Sequence, residues 1–394
     1  MIAKLDRRTV LLGLAAGGVI ACARRGKESA DSDRARVVTV FFGTYTSGDS
    51  PSKGIYTGRL DLDTGALTSV ALATSSADPS YVALHPSGRF LYAVNEVADF
   101  EGIASGGVEA FAIGPSGTAL RRLNQVASGG GAPCHLAVDR LATVVVVANY
   151  GGGSVASFPI QADGSLGSRA GFVQHEGRGP NKQRQEAAHA HLAAFDPAAR
   201  RLFVCDLGID QVRVYGLGPT GALVPNVPPS VSLRPGAGPR HLAFAPSGRF
   251  VYVNNELDST VTVFTHDPDT GTISMVETVT TLPAGFSGPN STAHVQVTPD
   301  GKFLYVSNRG HDSLAIFRID ERAGRLTIAG HTSSGGKIPR DFGIDPTGSF
   351  LLAANQASDN VVVLRIDRQT GALAPVGQPV SVPRPVCVVF GTLG

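Results

Sequence analysis

The sequence predicts an all-β fold, a seven-bladed β-propeller with four antiparallel strands per blade, closed by pairing of its N- and C-terminal strands. The first observation behind this prediction is a repeated pair of strand-like runs, clearest in FVYVNNELDSTVTVF (250–264) and FLYVSNRGHDSLAIF (303–317). The pair occurs seven times, which is typical of repeat architectures. The residues that end the first run of each pair, called markers, are Thr44, Asn95, Asn149, Asp206, Asn255, Asn308 and Asn355.

The second observation is that the array closes on itself. Consecutive markers lie 47 to 57 residues apart, and 39 residues follow Asn355. Residues 37–44 would therefore complete the last repeat. The C-terminal run PRPVCVVFGT (383–392) has the pattern of a first strand. We expect it to pair with VVTVFFGT (37–44) and to join the two ends of the chain in one blade.

The third observation is the content of each repeat, illustrated by the fifth. Four runs rich in Val, Phe and Tyr cover 240–245, 250–255, 260–267 and 272–279, with turn residues between them. Short β-branched and aromatic runs that are separated by Gly, Pro and Asp indicate strands rather than helices.

Composition limits the possible partners. The 394 residues include 34 basic and 32 acidic side chains, for a formal net charge of +2. This balance argues against a nucleic-acid partner, although a local basic cluster could hold an anion. We predict a monomer that binds a small molecule and uses no cofactor.

The N-terminal residues are interpreted separately from the fold. Arg7 and Arg8 precede an apolar run, and Val19-Ile20-Ala21 precede Cys22. Residues 1–22 resemble a twin-arginine export signal of the lipoprotein type, with Cys22 as the lipidation site. Residues 23–36 are predicted to be a linker and 37–394 the propeller domain. The protein would be exported, periplasmic or on the cell surface, and attached to a membrane only through lipid. An uncleaved N-terminal anchor or a cytoplasmic tail is the alternative.

The other three cysteines each fall in a strand-like run of a different repeat. Cys134, Cys205 and Cys387 form an odd set if Cys22 carries lipid. We predict that they are buried apolar side chains rather than a disulfide framework or a metal site.

Polar residues on the first strand of each repeat should face the central channel, because that strand is the innermost of a blade. The aligned residues are Tyr81, Cys134-His135, His189 and His191, Arg240-His241, Ala293-His294, Arg340-Asp341 and Pro385-Val386. His135, His241 and His294 lie fourteen residues before their markers, whereas His191 and Arg240 lie fifteen before theirs. A single channel histidine is more often a hydrogen-bonded filler, but a group of cations favours an anionic ligand.

A second polar group follows the markers and should lie at one rim of the channel: Glu96, Tyr150, Glu256, Arg309 and Gln356. Convergent ionisable groups in a pocket are typical of a binding or catalytic site. The marker asparagines themselves are expected to cap loop backbone.

The segment GRGPNKQRQEAAHAHLAAF (177–195) makes the third spacing the longest. It carries Arg178, Lys182, Arg184, Gln185, His189 and His191. The HAH pair lacks a carboxylate or cysteine at matching spacing, so we predict no metal and favour binding of an anion or a lactone oxygen.

These motifs resemble the lactonase family of seven-bladed propellers, which includes the bacterial propeller-type 6-phosphogluconolactonase and the fungal carboxy-cis,cis-muconate lactonising enzyme. The resemblance covers about Thr39 to Phe390. Its main motifs are GTYTSG (43–48), DPSYVALHPSGRFLYAVNE (78–96), GGGAPCHLAVD (129–139), RQEAAHAH (184–191), PGAGPRHLAFAPSGRFVYVNNE (235–256) and PDGKFLYVSNRGHDS (299–313). It implies hydrolysis of a sugar lactone, or the reverse-sense cyclisation of a muconate. A non-catalytic, surface-anchored binding propeller is the alternative from another class.

The resemblance also implies a set of site residues. The catalytic candidates are His191, Glu256 and His135; the substrate-binding candidates are His189, Arg240, Arg309 and Arg340. Glu96, from the group that follows the markers, is added as a substrate-binding candidate. Our hypothesis is that His191 or Glu256 deprotonates a water that attacks the lactone carbonyl. Arg240 and Arg309 would hold the substrate's phosphate or carboxylate and the developing oxyanion. No GxSxG elbow is present, so a serine-centred triad is not expected.

Overall fold

The structure, a computed structural model, describes residues 36–392. Within them, seven antiparallel sheets form the blades of a propeller. The predictions for residues 1–35, including the export signal and Cys22, lie outside the described residues. None of the helices in the described part is long and apolar enough to span a membrane.

In each blade the innermost strand faces the channel and the others follow outward. Blade 1 is β29 (Pro385–Phe390), β1 (Val37–Thr44), β2 (Gly54–Asp61) and β3 (Leu67–Ser75). Blade 2 is β4 (Val82–Leu84), β5 (Phe90–Asn95), β6 (Gly107–Ile113) and β7 (Leu120–Ala127). Blade 3 is β8 (Pro133–Val138), β9 (Val144–Asn149), β10 (Ser154–Pro159) and β11 (Gly171–Gln174). Blade 4 is β12 (Ala190–Phe195), β13 (Leu202–Asp206), β14 (Gln211–Leu217) and β15 (Leu223–Ser232).

Blade 5 is β16 (Pro239–Phe244), β17 (Phe250–Asn255), β18 (Thr260–His266) and β19 (Ile273–Thr280). Blade 6 is β20 (Ser291–Val297), β21 (Phe303–Arg309), β22 (Ser313–Ile319) and β23 (Leu326–Ser333). Blade 7 is β24 (Pro339–Ile344), β25 (Phe350–Asn355) and β26 (Asn360–Ile366), with an interrupted outer edge made of β27 (Leu373–Pro375) and β28 (Val380–Ser381). Short 3-10 turns occur at Leu207–Ile209 and Gln356–Ser358.

The predicted closure is confirmed. The C-terminal strand β29 pairs antiparallel with β1, with Val40 opposite Phe390 and Phe42 opposite Val388. The first and last parts of the domain therefore share one sheet, which leaves the ring without a free edge at the junction. The strands predicted for the fifth repeat match β16 to β19 to within one residue at each end.

The apolar core lies between neighbouring blades. Between blades 1 and 7, for example, Val40 and Phe42 pack with Phe350 and Leu352 in one buried cluster. The same arrangement joins the other blades, because the second and third strands are apolar on both faces. A strand that is buried on both sides favours a continuous run of Val, Ile, Leu and Phe, which is the pattern of the repeat.

A glycine in the outer turn of some blades allows close contact with the preceding blade. Gly65 has φ of +83° and Gly371 has φ of +77°, in the left-handed region that glycine adopts readily. A Cβ at Gly65 would lie 2.4 Å from the ring of Phe350, and one at Gly371 would lie 2.4 Å from the ring of Phe303. Any larger residue at these turns would separate adjacent blades.

The predicted structural role of the marker asparagines is confirmed. Asn308 donates to the carbonyl oxygen of Thr281 at 3.0 Å, and Asn355 donates to that of Ser334 at 3.0 Å. Cys134, Cys205 and Cys387 are buried free thiols, as predicted.

Candidate active site

Five inner strands carry a β-bulge at which the register skips one residue, and in β29 this residue is Val386. The register skips Cys134 in β8, His191 in β12, Arg240 in β16 and Arg340 in β24. A bulge turns the side chain of the extra residue away from the alternation of the strand. Cys134, His191, Arg240 and Arg340 each lie fifteen positions before a marker, and all of them except Arg240 line the same cavity.

These residues help to form a cavity of about 300 Å³, called the upper cavity. Four kinds of position supply its lining: bulged inner-strand residues, residues that follow a marker, Ser291 at the start of β20, and Arg184 from the segment between β11 and β12. The lining residues are Tyr45, Glu96, Cys134, Tyr150, Arg184, His191, Glu256, Ser291, Arg309 and Arg340. Four of the five predicted rim residues are among them, whereas Gln356 is not.

Glu256 is the centre of an arginine cluster. Its Oε1 accepts from Arg184 Nη2 at 2.6 Å, and its Oε2 lies 2.9 Å from both Arg309 Nη2 and Arg240 Nε. Glu256 and Arg240 are buried, with 3% and 2% of their surface exposed. Burial by itself raises the pKa of Glu256, but the charges of Arg309 and Arg240 outweigh it and hold the pKa well below the usual range.

This environment does not suit the predicted role of Glu256 as the base. A carboxylate held by three guanidinium groups has little tendency to accept a proton near neutral pH. Its geometry instead fixes the directions of Arg184, Arg240 and Arg309. Arg309 also donates from Nη2 to the carbonyl oxygen of Thr292 at 2.9 Å, which holds its guanidinium from a second side.

The other side of the upper cavity contains Arg340, Tyr45 and Glu96. The guanidinium of Arg340 lies over the ring of Tyr45, 5.2 Å from its centroid. Tyr45 in turn donates its hydroxyl to Glu96 Oε2 at 2.9 Å. No carboxylate in residues 36–392 lies within 4.0 Å of the Arg340 guanidinium. Arg340 is thus a cation in the cavity whose charge is not neutralised by direct contact.

His191 is the histidine that lines the upper cavity. Its ring meets that of Tyr150 edge-on with centroids 5.5 Å apart, and its Nδ1 lies 3.7 Å from the sulfur of Cys134. Burial, followed by the charge of Arg240, holds the pKa of His191 well below its ordinary value. The ring is therefore neutral near pH 7 and has a lone pair available to accept a proton.

Arg240 lies beneath the cavity rather than in its wall. It donates from Nη1 to the carbonyl oxygen of Ala293, and its Nε lies beside Glu256 without a well-aligned hydrogen bond. Burial and the neighbouring charges of Arg309 and Arg340 lower the pKa of Arg240 to about 9. Arg240, a predicted substrate-binding residue, thus contacts Glu256 and does not line the upper cavity.

Two predicted site histidines lie outside the upper cavity. His189 is stacked on Tyr150 with ring centroids 4.5 Å apart, and its two ring nitrogens contact the carbonyl oxygen of Tyr150 and the carboxylate of Glu186. His189 thus supports Tyr150, which lines the upper cavity, and does not line the cavity itself. His135 lies further along the inner strand and packs on Tyr81, with centroids 3.9 Å apart.

His135 belongs to a second cavity of about 600 Å³, called the lower cavity, which follows the same inner strands. Its lining includes His135, Leu136, Leu242, His294 and Val389. His135 and Glu256, both predicted as catalytic residues, therefore line different cavities, because consecutive residues of the inner strand point to different levels of the channel. His135 lies fourteen rather than fifteen residues before its marker.

Sequence patterns alone did not assign Arg184, Tyr45, Cys134 or Ser291 to the site. The sequence marks Arg184 only as a basic residue of the long segment. Its position depends on the buried Gln185, which donates to the carbonyl oxygen of Leu207 and to Asp210, each at 2.8 Å. Cys134 was recognisable, because it shares the fifteen-residue spacing of His191 and Arg240. Across residues 36–392, no three His, Cys, Asp or Glu side chains are grouped in a way that could hold a metal ion.

The propeller and its polar channel cavity define a protein of the lactonase type, and the chain belongs to this family. It matches the family described as "Lactonase, 7-bladed beta-propeller" over residues 39–390. It is similar to the 6-phosphogluconolactonase of Bacillus subtilis (strain 168), with 40% identity over 350 residues that cover 89% of this chain and 97% of that protein.

Solved structures agree with this assignment. The periplasmic gluconolactonase of Pseudomonas aeruginosa is 34% identical, with a TM-score of 0.83 and coverage of 91% of this chain and 100% of that one. A putative 6-phosphogluconolactonase from Bacteroides fragilis is also 34% identical, with a TM-score of 0.83 and coverage of 93% and 100%.

Proposed function

We propose that this protein hydrolyses a sugar lactone of the 6-phosphogluconolactone type in the upper cavity. Family membership and the names of the relatives support this class of reaction. The observation that carries the proposal is the charge of the site. Three arginines and two glutamates line one cavity of about 300 Å³, and Arg240 beneath it pairs with Glu256, so the group as a whole has an excess of two positive charges.

The arginine cluster would stabilise the transition state. Attack on a lactone carbonyl puts negative charge on its oxygen, and donors that are already in place stabilise this charge without reorganising. Arg309 lines the cavity, and its buried Nε–H has no hydrogen-bond acceptor in residues 36–392. We assign this N–H to the carbonyl oxygen. Glu256 then holds the guanidinium in place rather than acting as a base.

Arg340 would bind the anionic substituent of the substrate. Its guanidinium is not neutralised by a carboxylate within 4.0 Å in the described chain, whereas Arg240 and Arg309 share Glu256. A guanidinium binds phosphate or carboxylate through parallel N–H donors. The phosphate or carboxylate that the sequence assigned to Arg240 and Arg309 is therefore reassigned to Arg340, with Tyr45 and Glu96 beside it.

His191 is the base that we retain from the sequence-based hypothesis. A neutral imidazole in the cavity wall can take a proton from a water as that water attacks the carbonyl carbon. The low pKa of His191 in the free protein makes it a weak base, and an anionic substrate beside it would raise that pKa.

The proposal is tested by the rate of lactone opening. The purified protein would be assayed on 6-phosphogluconolactone, unphosphorylated gluconolactone and a carboxymuconolactone, each corrected for spontaneous hydrolysis. Arg309→Ala is the test variant, and Arg234→Ala is the matched control because Arg234 is 70% exposed in a surface ion pair with Asp258. Turnover that is lost in the first variant and kept in the second supports the proposal. No turnover on any lactone by the folded parent protein would refute it.

We also propose that the protein is exported and anchored by lipid at Cys22. The N-terminal pattern supports this, and one structural relative is named a periplasmic gluconolactonase. Cell fractionation with labelled fatty acid tests the proposal. The parent should appear in the membrane fraction with label, and Cys22→Ala should lose the label. Unlabelled parent protein in the cytoplasm would contradict both parts.

A further inference from the structure

A small crevice lies directly under the upper cavity. Its volume is about 10 Å³, which is room for about one water molecule. The residues of its wall that matter here are Ser80, Glu96, Cys134, Arg240, Arg340 and Asp341. Glu96, Cys134 and Arg340 also line the upper cavity, so the two spaces share a wall.

Buried polar atoms converge on this crevice. Ser80 Oγ and Asp341 Oδ1 have no hydrogen-bond partner in residues 36–392, although each is buried. Asp341 Oδ1 lies 3.2 Å from His294 Nδ1 without an aligned hydrogen bond, while Oδ2 accepts from the backbone N–H of Val388 at 2.8 Å. Buried polar groups in native proteins almost always have partners. Two such atoms around a space the size of a water therefore indicate a polar site.

We propose that Asp341 is the general acid of lactone opening and that it passes its proton to the ring oxygen through one water held in the crevice by Ser80. This inference rests on the proposed function, and it adds a group that neither the sequence analysis nor the family resemblance assigned to the site. His191 faces the cavity above, and Asp341 faces the crevice below it. The two groups can therefore act on different atoms of the same substrate.

The ionisation of Asp341 is consistent with this role. Burial raises its pKa to about 7, although the hydrogen bond from Val388 and the charge of Arg240 act in the opposite direction. The other titratable or charged groups around it are Tyr81, Glu96, Cys134, Arg240, His241, His294, Arg340 and Cys387. Of the two proposed groups, His191 favours the neutral form that accepts a proton, and Asp341 keeps its proton up to neutral pH. Opposite pKa shifts of this kind are typical of an acid and base pair.

Every proton in the proposed reaction has a donor and an acceptor. The oxygen of water bonds to the carbonyl carbon while His191 takes one of its protons. The bond between the acyl carbon and the ring oxygen then breaks, and the ring oxygen receives the proton of Asp341 by way of the crevice water. The products are a hydroxy acid, protonated His191 and ionised Asp341. Proton exchange with solvent restores both side chains, and the new carboxylic acid ionises.

The test compares two leaving groups. In a thiolactone the ring oxygen is sulfur, and a thiolate leaves without first being protonated. The substitution Asp341→Asn keeps the size of the side chain but removes the proton donor. We expect kcat on the oxygen lactone to fall about 100-fold, and the ratio of oxygen-lactone to thiolactone kcat to fall at least about tenfold. A purely structural defect would lower both rates together, and an unchanged ratio would overturn the proposal.

The pH profile gives a second readout. An acid must be protonated to act, so kcat of the parent on the oxygen lactone should decline above about pH 7, the pKa of Asp341. That decline should be absent in Asp341→Asn. A profile that is identical in parent and variant would overturn the role of Asp341.

A second variant keeps the test available if Asp341→Asn does not fold. Ser80→Ala removes the other anchor of the crevice water and should lower the ratio of the two kcat values in the same direction, by a smaller factor. An unchanged ratio in Ser80→Ala would overturn the proposal that a water held by Ser80 passes the proton to the ring oxygen. If the parent protein had no activity on either lactone, the proposed function itself would be overturned. This result differs from an unchanged ratio, which would overturn only the role of Asp341 or of the crevice water.

Discussion

The two cavities of the channel use the same inner strands but have opposite characters. The upper cavity is about 300 Å³ and is lined by three arginines and two glutamates, whereas the lower cavity is about 600 Å³ and is lined largely by apolar residues such as Leu136, Leu242 and Val389. The larger space is therefore not the better candidate site. The side chains at β-bulges and those that follow the markers together give the smaller space its polar character.

The strongest test of this difference is the substitution Glu256→Gln. It keeps the shape of the side chain but removes the charge that holds Arg184, Arg240 and Arg309. We expect kcat/KM to fall by about 100- to 1,000-fold, the range for loss of a preorganised oxyanion donor.

Stability should fall in the same variant by about 3–5 kcal/mol, because a buried ion pair is broken. Asp269→Asn is the matched control, since Asp269 is 84% exposed in its pair with Arg200 and such pairs contribute about 0–1 kcal/mol. Denaturant unfolding and steady-state kinetics measure both effects. Parent-like activity in Glu256→Gln would remove the arginine cluster from the mechanism.

The substitution Arg340→Gln tests the other side of the upper cavity. Loss of a charge-assisted contact of about 1.5–3 kcal/mol corresponds to roughly a 10- to 100-fold increase in KM for a phosphorylated lactone. KM for the unphosphorylated lactone should change much less, because it has no group for this guanidinium. Equal increases for both substrates would show that Arg340 acts on the shape of the cavity rather than on the anion.

The substitution Leu242→Ala tests the lower half of the channel. Leu242 is buried in the apolar cluster between blades 4 and 5, so truncation should cost about 2–5 kcal/mol of stability. The kcat per folded molecule should stay at the parent value, since the groups proposed for catalysis line the upper cavity and the crevice under it. A selective loss of kcat with unchanged stability would contradict the division between the two halves.

The smallest effect is expected for Cys134→Ala. The thiol lines the upper cavity, but burial raises its pKa well above the ordinary value, so it remains protonated and is a poor nucleophile. We expect kcat/KM to remain within about threefold of the parent, and alkylation of Cys134 at pH 8 to be slow. Rapid inactivation by iodoacetamide that Cys134→Ala abolishes would contradict this.

The sequence predicted the repeat, the closure and much of the rim because these features depend on local patterns. Strand alternation and marker spacing identified Glu96, Glu256 and Arg309. They did not show that a residue fifteen positions before a marker, such as Arg340, lines a different cavity from one fourteen positions before, such as His135. That separation depends on the β-bulges, which are visible only once the strands are paired.

The position of Arg184 could not be predicted for a different reason. It lies in an irregular segment between β11 and β12, where no periodicity specifies which way a side chain points. Hydrogen bonds from Gln185 to Leu207 and Asp210 in blade 4 anchor that segment. The low pKa of Glu256 could not be predicted from the sequence either, because it depends on three arginines that come from distant parts of the chain.

The most direct test of the account is a crystal structure of the protein with the hydrolysis product, 6-phosphogluconate. We predict that the product occupies the upper cavity, with its phosphate at Arg340 and its carboxylate within hydrogen-bond distance of Arg309 Nε. A product in the lower cavity, or one whose phosphate lies on Arg240 and Arg309 while Arg340 makes no contact, would contradict it.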